Sequence, residues 1–544
     1  MIQDAYAWWQ TGVVYQIYPR SYMDSNADGV GDLQGIISRL DYLHETLGID
    51  TIWISPIYPS PMADFGYDVA DYTAIHPMFG DLATFDRLLA DVHRRGMHLI
   101  LDFVPNHTSD EHRWFVEARQ ARSSAKRDWY IWRDAKPDGS MPNNWGSAFG
   151  GPAWEWDAAT GQYYLHLFDK KQPDLNWRNP EVRAAMFDVL RFWLDRGVDG
   201  FRVDVAGFMI KDEALRDNPY NGYPAGGQLP TNIWAWQEHV YDMDRPEVHD
   251  LIREFRRITD SYDGDRVLIG EVFYRPISRW IKYYGQPTDT GRLSGYHLPF
   301  NFGLMGQPWR ADAFRAAVNE IEDALPTQAW PNNVLGNHDA PRLASRFGHE
   351  IVRAAAMMLL TLRGTPTIYM GEEIGMENGE IPADRLQDPP ALIIGPEAGR
   401  DPCRTPFQWS AEQFTGFSTV EPWLPVAAGY ETRNVESQLK EPRSILALYQ
   451  KLLQYRRETP ALNRGAYRAL DHVPGDCFVY LRTLADQRRL VVLNFGSRAH
   501  TLKLDDLAAA SEGRVALSTE LDRSGVEALA TLALRPYEGV VLEL

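Results

Sequence analysis

Apolar residues along this chain fall into two alternating patterns. Short, nearly continuous β-rich runs occur at 13–19 (VVYQIYP), 51–57 (TIWISPI), 98–104 (HLILDFV), 200–206 (GFRVDVA), 267–273 (VLIGEVF), 296–302 (YHLPFNF), 332–339 (NNVLGNHD) and 365–371 (TPTIYMG). Between the first of them lie segments of helical spacing, Leu33–Leu47 and Leu82–Arg95. Near-continuous apolar runs suit parallel strands covered on both faces, whereas half-buried strands alternate. Eight such runs separated by helices predict an α/β chain with a closed (β/α)8 barrel.

Two connections are too long to be plain loops. Residues 108–175, after the third run, are rich in Trp, Gly, Pro and Asn and read as an inserted subdomain. Residues 375–435, after the eighth run, are equally rich in Pro and Gly. A helix over Ser444–Arg457 then gives way to alternating segments such as CFVYLRTL and RLVVLNF. Alternation predicts an antiparallel β domain. The expected division is 1–107 and 176–462 for the barrel, with 375–435 as an insertion in it. Residues 108–175 form the subdomain and 463–544 the C-terminal domain.

Composition narrows the partners. The formal net charge of −19 disfavours nucleic acid and anionic membrane. Two cysteines, Cys403 and Cys477, provide neither a disulfide framework nor a thiolate metal cluster. Residues 1–10 carry no basic segment followed by an apolar run, and no stretch approaches the roughly 20 apolar residues of a membrane span. A cytoplasmic protein, monomeric or homodimeric, is expected. The 18 Trp and 26 Tyr suit core packing and also the flat, polar-edged platforms that stack on sugar faces.

The strand ends carry the chemistry. Asp102, Asn106 and His107 follow the third run, Arg202 and Asp204 sit in the fourth, Glu271 ends the fifth, and Asn337-His338-Asp339 ends the seventh. Buried strands should be apolar, because an unpaired buried charge is costly. Four acids at four equivalent strand ends converge on the mouth of a barrel, where active sites form. Arg202 stands two residues before Asp204, so both point to one side of the strand, and an adjacent guanidinium keeps a carboxylate ionised. Paired carboxylates without a catalytic thiol suit glycoside hydrolysis.

With DFVPNH (102–107), QPDLN (172–176), GFRVDVA (200–206), EVF (271–273) and GNHD (336–339) in order, the chain resembles the α-amylase family, glycoside hydrolase family 13. The resemblance implies a barrel with a subdomain after strand three and a C-terminal β-sandwich. It implies Asp204 as nucleophile, Glu271 as general acid/base and Asp339 as transition-state stabiliser, with His107, Arg202 and His338 holding the glucosyl ring and the nucleophile. DFGYD (64–68), NNWGSAFGGPAW (143–154), QPDLN and RDPCRTPFQW (400–409) are most similar to the α-glucosidase and oligo-1,6-glucosidase branch. There Asp64 and Arg404 would grip the distal hydroxyls of the terminal glucose, Tyr67 would stack on it, and Phe149 and Phe168 would line the pocket. The substrates implied are short α-glucosides, cleaved with retention from the non-reducing end, with transfer to a second sugar as an added outcome. The alternative with the same residues is a glucosyltransferase or a disaccharide isomerase. The Arg-Leu-Asp-Arg-Asp segment of sucrose-isomerising relatives is absent. Phe407 stands where the branch has Met, one apolar residue for another. Val205, after the nucleophile, accompanies α-1,6 activity in relatives. A non-catalytic scaffold of this family would have lost the acids kept here.

One further segment, DSNADGVGD (24–32), sets Asp24, Asn26 and Asp28 at alternate positions before Gly29, with Asp32 closing the loop. This is similar to the first part of a calcium loop. In the branch the equivalent loop carries a structural Ca2+ or Mg2+, to which the Val30 carbonyl would contribute. No organic cofactor is implied.

Overall fold

A computed structural model describes residues 6–221 and 231–544; residues 1–5, within the N-terminal segment considered above, and 222–230 lie outside the described residues. Eight parallel strands close into a barrel in chain order: β1 Val14–Ile17, β2 Thr51–Ile54, β3 His98–Phe103, β4 Gly200–Val203, β5 Val267–Gly270, β6 Leu298–Asn301, β7 Asn332–Val334 and β8 Thr365–Tyr369. All eight expected runs contain one of them.

Nearly every strand residue is buried, because both sheet faces are covered. The period of two sorts side chains between two cores. Val14, Trp53, Ile100, Ile269, Phe300 and Val334 fill the barrel interior. Their neighbours Tyr15, Ile52, Ile54, Leu99, Leu101 and Leu268 face the helices. On β4 the same alternation sends Phe201 and Val203 outward to the helices. Arg202 and the following Asp204 therefore fall on the inner side.

Several helices begin on side-chain caps. Asp81 accepts from the Thr84 amide at the start of Leu82–Arg94, whose Phe85, Leu88, Leu89 and Val92 form one buried stripe. Ser444 caps Ile445–Glu458 in the same way. The segment expected as one helix over Leu33–Leu47 is two pieces: an α-helix Leu33–Ser38 and a widened π turn Tyr42–Leu47, ended by left-handed Gly48. The widening keeps Leu43 and Leu47 in the core while the Tyr42 hydroxyl reaches buried Glu373 at 3.0 Å.

Between β3 and β4 the chain forms a short helix, Arg113–Ala118, and a three-stranded antiparallel sheet of Trp132–Arg133, Gln162–Leu165 and Trp154–Asp157. Its end is tied back to β3 by buried Lys211, which bonds Asn106 Oδ1 and Asp174 Oδ2, both at 2.7 Å. Residues 375–435 contain short helical turns that pack over the barrel mouth. At the C-terminus a six-stranded antiparallel sheet faces a two-stranded one, His500–Leu502 with Leu532–Leu534. Within Cys477–Leu484, Val479 and Leu481 face that two-stranded sheet, while Phe478 and Tyr480 join the core shared with the barrel. Among the described residues no helix is long and apolar enough to cross a membrane.

Candidate active site

One guanidinium organises the acids at the barrel mouth. Arg202 donates to Asp102 Oδ1 at 2.8 Å and to Asp204 Oδ1 at 2.6 Å, and its other terminal nitrogen meets Glu271 Oε1. Asp102 also accepts from Trp53 Nε1 at 3.1 Å and from the Tyr67 hydroxyl at 3.0 Å. Three carboxylates thus share one cation in a buried place. Burial pushes Asp204 and Glu271 above the usual carboxylate range; Arg202 opposes this, and the neighbouring acids reinforce it. The cluster titrates as a unit and retains a proton to higher pH than separate carboxylates would.

A second set lies across the cavity. Arg400 bonds Asp64 at 2.7 Å, Asp388 at 2.6 Å and Asp339 at 3.2 Å. Arg404 reaches Asp339 at 2.9 Å, the His338 carbonyl at 2.8 Å and Asp388 at 3.6 Å. Here two guanidinia face three carboxylates. Burial would raise Asp339, but the charges of His338 and the arginines outweigh it and hold the carboxyl far below the usual range. Burial itself pushes His338 down to about 3, so the ring is neutral near pH 7 and the arginines do the holding. Asp64 goes the other way: burial lifts it to about 6 despite Arg400 and Arg404.

Hydrogen bonds fix the imidazoles. His338 Nδ1 lies 2.7 Å from Gln16 Nε2 and must accept from that amide, which leaves the proton on Nε2, 3.4 Å from Asp339 Oδ2. The Tyr67 ring stacks on His338 with centroids 5.4 Å apart and planes 5° from parallel. His107, pushed down to about 3 by burial, meets Gln172 Nε2 at 3.1 Å, and the same amide donates to Asp64 at 3.0 Å.

Between the two sets lies a cavity of about 370 Å³ lined by Asp64, Tyr67, His107, Phe149, Phe168, Asp204, Glu271, His338 and Asp339. Arg202 lies beneath it. Arg404 does not line it; the guanidinium beside Asp64 is that of Arg400, four residues earlier in RDPCRTPFQW. The expected pairing of Asp64 with Arg404 is therefore corrected to Asp64 with Arg400. A short helical turn, Asp401–Arg404, separates the two arginines and lets Arg400 extend into the cavity. Sequence reasoning also missed Asp388, Gln172, Phe273 and Phe302. Arg400, Gln172 and Phe273 stand inside motifs already singled out, whereas Asp388 carries no local signal. Of the side chains at the cavity, Asp339 is the most open acid at 32% exposed, against 8% for Asp204 and 4% for Glu271.

Directly after Asp204, Val205 adopts φ +37°. Among the described non-glycine residues of positive φ only Val205 and Thr415 are β-branched. Such a conformation costs on the order of 1–3 kcal/mol and persists where the surroundings impose it.

The loop over 24–32 is drawn together by amides. Asp24 Oδ1 accepts from the amides of Asn26 and Ala27, Asp24 Oδ2 from the Gly29 amide and the Ser418 hydroxyl, Asn26 Oδ1 from the Asp28 amide, and Asp28 Oδ1 from the Val30 amide. Asp32 accepts from Ser25 and caps the helix at Gly35. The donors are all oxygens, as a hard cation requires. The three acids are not gathered within 4.8 Å of one another; the described residues that are so gathered are Asp476, Cys477 and His500. In that trio burial pushes the Cys477 thiol up to about 12.

Residues 16–465 match the family model for the α-amylase catalytic domain. The chain is 41% identical over 509 residues to a "Probable alpha-glucosidase" of Rhizobium meliloti, covering 91% of each. It is 40% identical to an oligo-1,6-glucosidase of Halalkalibacterium halodurans, covering 98% of each. Among solved structures, the alpha-glucosyl transfer enzyme XgtA superposes with a TM-score of 0.88 at 39% identity, covering 99% of both chains. A barrel with acids at its strand ends and this degree of likeness define the class: a glycoside hydrolase. The chain belongs to the α-amylase family, glycoside hydrolase family 13.

Proposed function

We propose that the chain is a retaining, exo-acting α-glucosidase that releases glucose from the non-reducing end of short α-glucosides. Asp204 attacks the anomeric carbon while the Glu271 carboxyl gives its proton to the departing oxygen. Water then loses a proton to Glu271 and attacks the same carbon, breaking the bond to Asp204 and restoring both groups. Two inversions give net retention. The observation that carries this reading is the sharing of Arg202 by Asp204 and Glu271. One guanidinium reaching both favours the short carboxyl separation of a retaining pair, about 5–5.5 Å, over the wider gap that leaves room for a water. With three carboxylates to one cation, the cluster keeps a proton, and the first step requires it on Glu271 with Asp204 ionised.

Across the cavity, Asp339 is held ionised, which suits it to stabilise positive charge at the anomeric centre. Asp64 with Arg400 would accept from and donate to hydroxyls at the closed end. His107, His338, Tyr67, Phe149 and Phe168 would complete the glucosyl pocket. Arg404 supports Asp339 from behind. Glucose release from maltose, isomaltose, sucrose, trehalose and soluble starch tests the reading, with Asp204→Ala as control. Release from short sugars as the α-anomer, little from starch and none from the variant is expected; a β-anomeric first product would sink it.

A second reading has its own support. Phe273, 49% exposed, stacks on Phe302 at 5.2 Å at the open side, with Met305 beside them. An apolar mouth favours an organic acceptor over water, so α-glucosyl transfer would accompany hydrolysis. Disaccharide loss in excess of free glucose measures it. We also assign the loop over 24–32 as the seat of a structural Ca2+ or Mg2+, with Asp24, Asn26, Asp28, Asp32 and the Val30 carbonyl as donors. A melting temperature that falls on chelation and returns with Ca2+ supports this; one indifferent to both removes it.

A further inference from the structure

We infer that the strained backbone at Val205 is a positioning device for Glu271: its N–H is aimed at the acid/base carboxylate and holds it in the orientation of the second step. The inference rests on the assignment of Glu271 given above. Two consecutive amides of the turn after β4 grip this one residue. Val205 N donates to Glu271 Oε2 at 2.8 Å, and Ala206 N donates to the Glu271 main-chain oxygen at 3.1 Å. Glu271 Oε1 meets Arg202, so both carboxylate oxygens already have donors. The turn itself is anchored, since Asp204 N bonds Phe103 O at 2.8 Å and Phe208 N bonds Val205 O at 2.9 Å. Between these anchors Val205 sits at φ +37°, a conformation its branched side chain disfavours. The φ of Val205 sets where the chain goes after that amide, so its positive value lets the turn close onto Phe208 N while the N–H stays on Glu271. Strain at a residue adjoining a reacting group is where such cost is retained.

The groups facing Glu271 are Arg202 from β4 and Asp204 directly after it, Asp102 from β3 and Asp339 after β7. Burial, Asp339 and Asp102 favour its protonated form; Arg202 and the Val205 N–H favour its ionised form. The amide is therefore the one donor to Glu271 that is neutral and fixed in direction by the backbone. It works against the first step, in which Glu271 must be protonated, and for the second, in which Glu271 must be a base. The hydrogen bond is therefore weaker to the protonated carboxyl of the first step and stronger to the carboxylate of the second.

The test replaces the Val205 peptide nitrogen by an ester oxygen, through incorporation of the α-hydroxy analogue of valine. The side chain stays and only the donor is lost. With Val205 N–H gone, the ionised form of Glu271 loses a hydrogen bond, so the basic limb of kcat/KM for maltose moves to higher pH by about one unit. With p-nitrophenyl α-glucoside, whose leaving group needs little protonation, kcat and KM fall together as the second step slows. Val205→Gly, which accepts φ +37° without strain and lets the amide wander, shifts the limb in the same direction by less. An unmoved limb in the ester variant overturns the inference. Glu271→Gln separates this from failure of the underlying assignment: a Gln variant that still cleaves maltose would refute Glu271 as the acid, whereas an inactive one beside an unshifted ester variant refutes only the role of Val205.

Discussion

The two charged sets at the barrel mouth are built from the same residue types in different proportion. Around Arg202, one guanidinium serves Asp102, Asp204 and Glu271. Around Arg400 and Arg404, two guanidinia serve Asp64, Asp339 and Asp388. The first set is short of positive charge, and its acids rise above their usual range. In the second, Asp339 and Asp388 are held below it. The ratio of cations to carboxylates therefore sorts the cavity into a side that stores a proton and a side that stays ionised. Chemistry that donates and recovers a proton suits the first; gripping hydroxyls and countering positive charge suit the second.

Removing a carboxylate from the crowded set breaks the comparison most forcefully. Asp204→Asn is expected to lower kcat on the order of 10⁴-fold or more, as loss of a nucleophile does. The same change relieves the charge imbalance. A carboxylate held even one unit above its usual value costs about 1.4 kcal/mol when ionised. The variant is expected to melt above the parent at pH 7 in a thermal scan. Equal or lower melting temperature would mean that Arg202 neutralises all three acids.

In the balanced set the expected signs reverse. Arg400→Met leaves Asp64 and most of Asp388 without their partner, and breaking a buried pair costs about 3–5 kcal/mol. A lower melting temperature is expected together with a KM for maltose raised at least tenfold and a smaller change in kcat. Should kcat fall and KM hold, Arg400 would act on the transition state and not on the ground-state sugar.

This set also shows what a sequence conceals. The barrel was legible because strands buried on both faces cannot hide their apolar runs, and Arg202, Asp204, Glu271 and Asp339 were legible because acids in such runs have no structural excuse. The resemblance then supplied Asp64, Tyr67 and Phe149. Arg400 was not chosen, although it stands in the same motif as Arg404. Which of two arginines four residues apart enters a cavity depends on the helical turn between them, and nothing in their spacing reveals it. Asp388 pairs with arginines 12 and 16 residues away in an irregular segment, where no period operates. The π turn at Tyr42–Leu47 escaped because its cause, buried Glu373, lies more than 300 residues further on.

Asp64 sharpens the contrast, since it belongs to the balanced set yet is lifted to about 6. Binding that needs its carboxylate weakens as pH falls through 6. Inhibition by glucose, a neutral product, is expected to lose about tenfold in affinity per unit below that point. Arg400 lowers this value, so Arg400→Met moves the transition upward. The stability linkage has the opposite sense. The folded value exceeds the unfolded 3.8, so the folded state binds the proton more tightly. That contribution is complete below about pH 4 and is lost as pH rises through 6, whereas Asp339 and Asp388, depressed when folded, contribute above pH 4 and lose their contribution as pH falls. Chemical unfolding of wild type and Asp64→Asn at pH 4 and pH 7 checks it: the gap in favour of Asn is expected at pH 7 alone.

The smallest effect concerns Cys403, packed within the balanced set with its sulfur 3.3 Å from the His338 carbonyl and 3.1 Å from that of Arg400. Burial pushes the thiol up to about 11, although four residues around it include arginines that lower it. Thiolate is scarce at neutral pH and the sulfur is covered, so alkylation is slow. Iodoacetamide at pH 7.5 is expected to leave wild-type activity intact over hours, and Cys403→Ala to change kcat less than about twofold, as expected for a packed thiol that does not line the cavity. The thiol then becomes a reporter. In Arg400→Met the cover over Cys403 loosens, and alkylation followed by mass spectrometry is expected to run faster than in wild type by a factor that tracks the lost stability. Equal rates in the two proteins would show that the ion pairs of Arg400 orient the sugar without holding this side of the cavity closed.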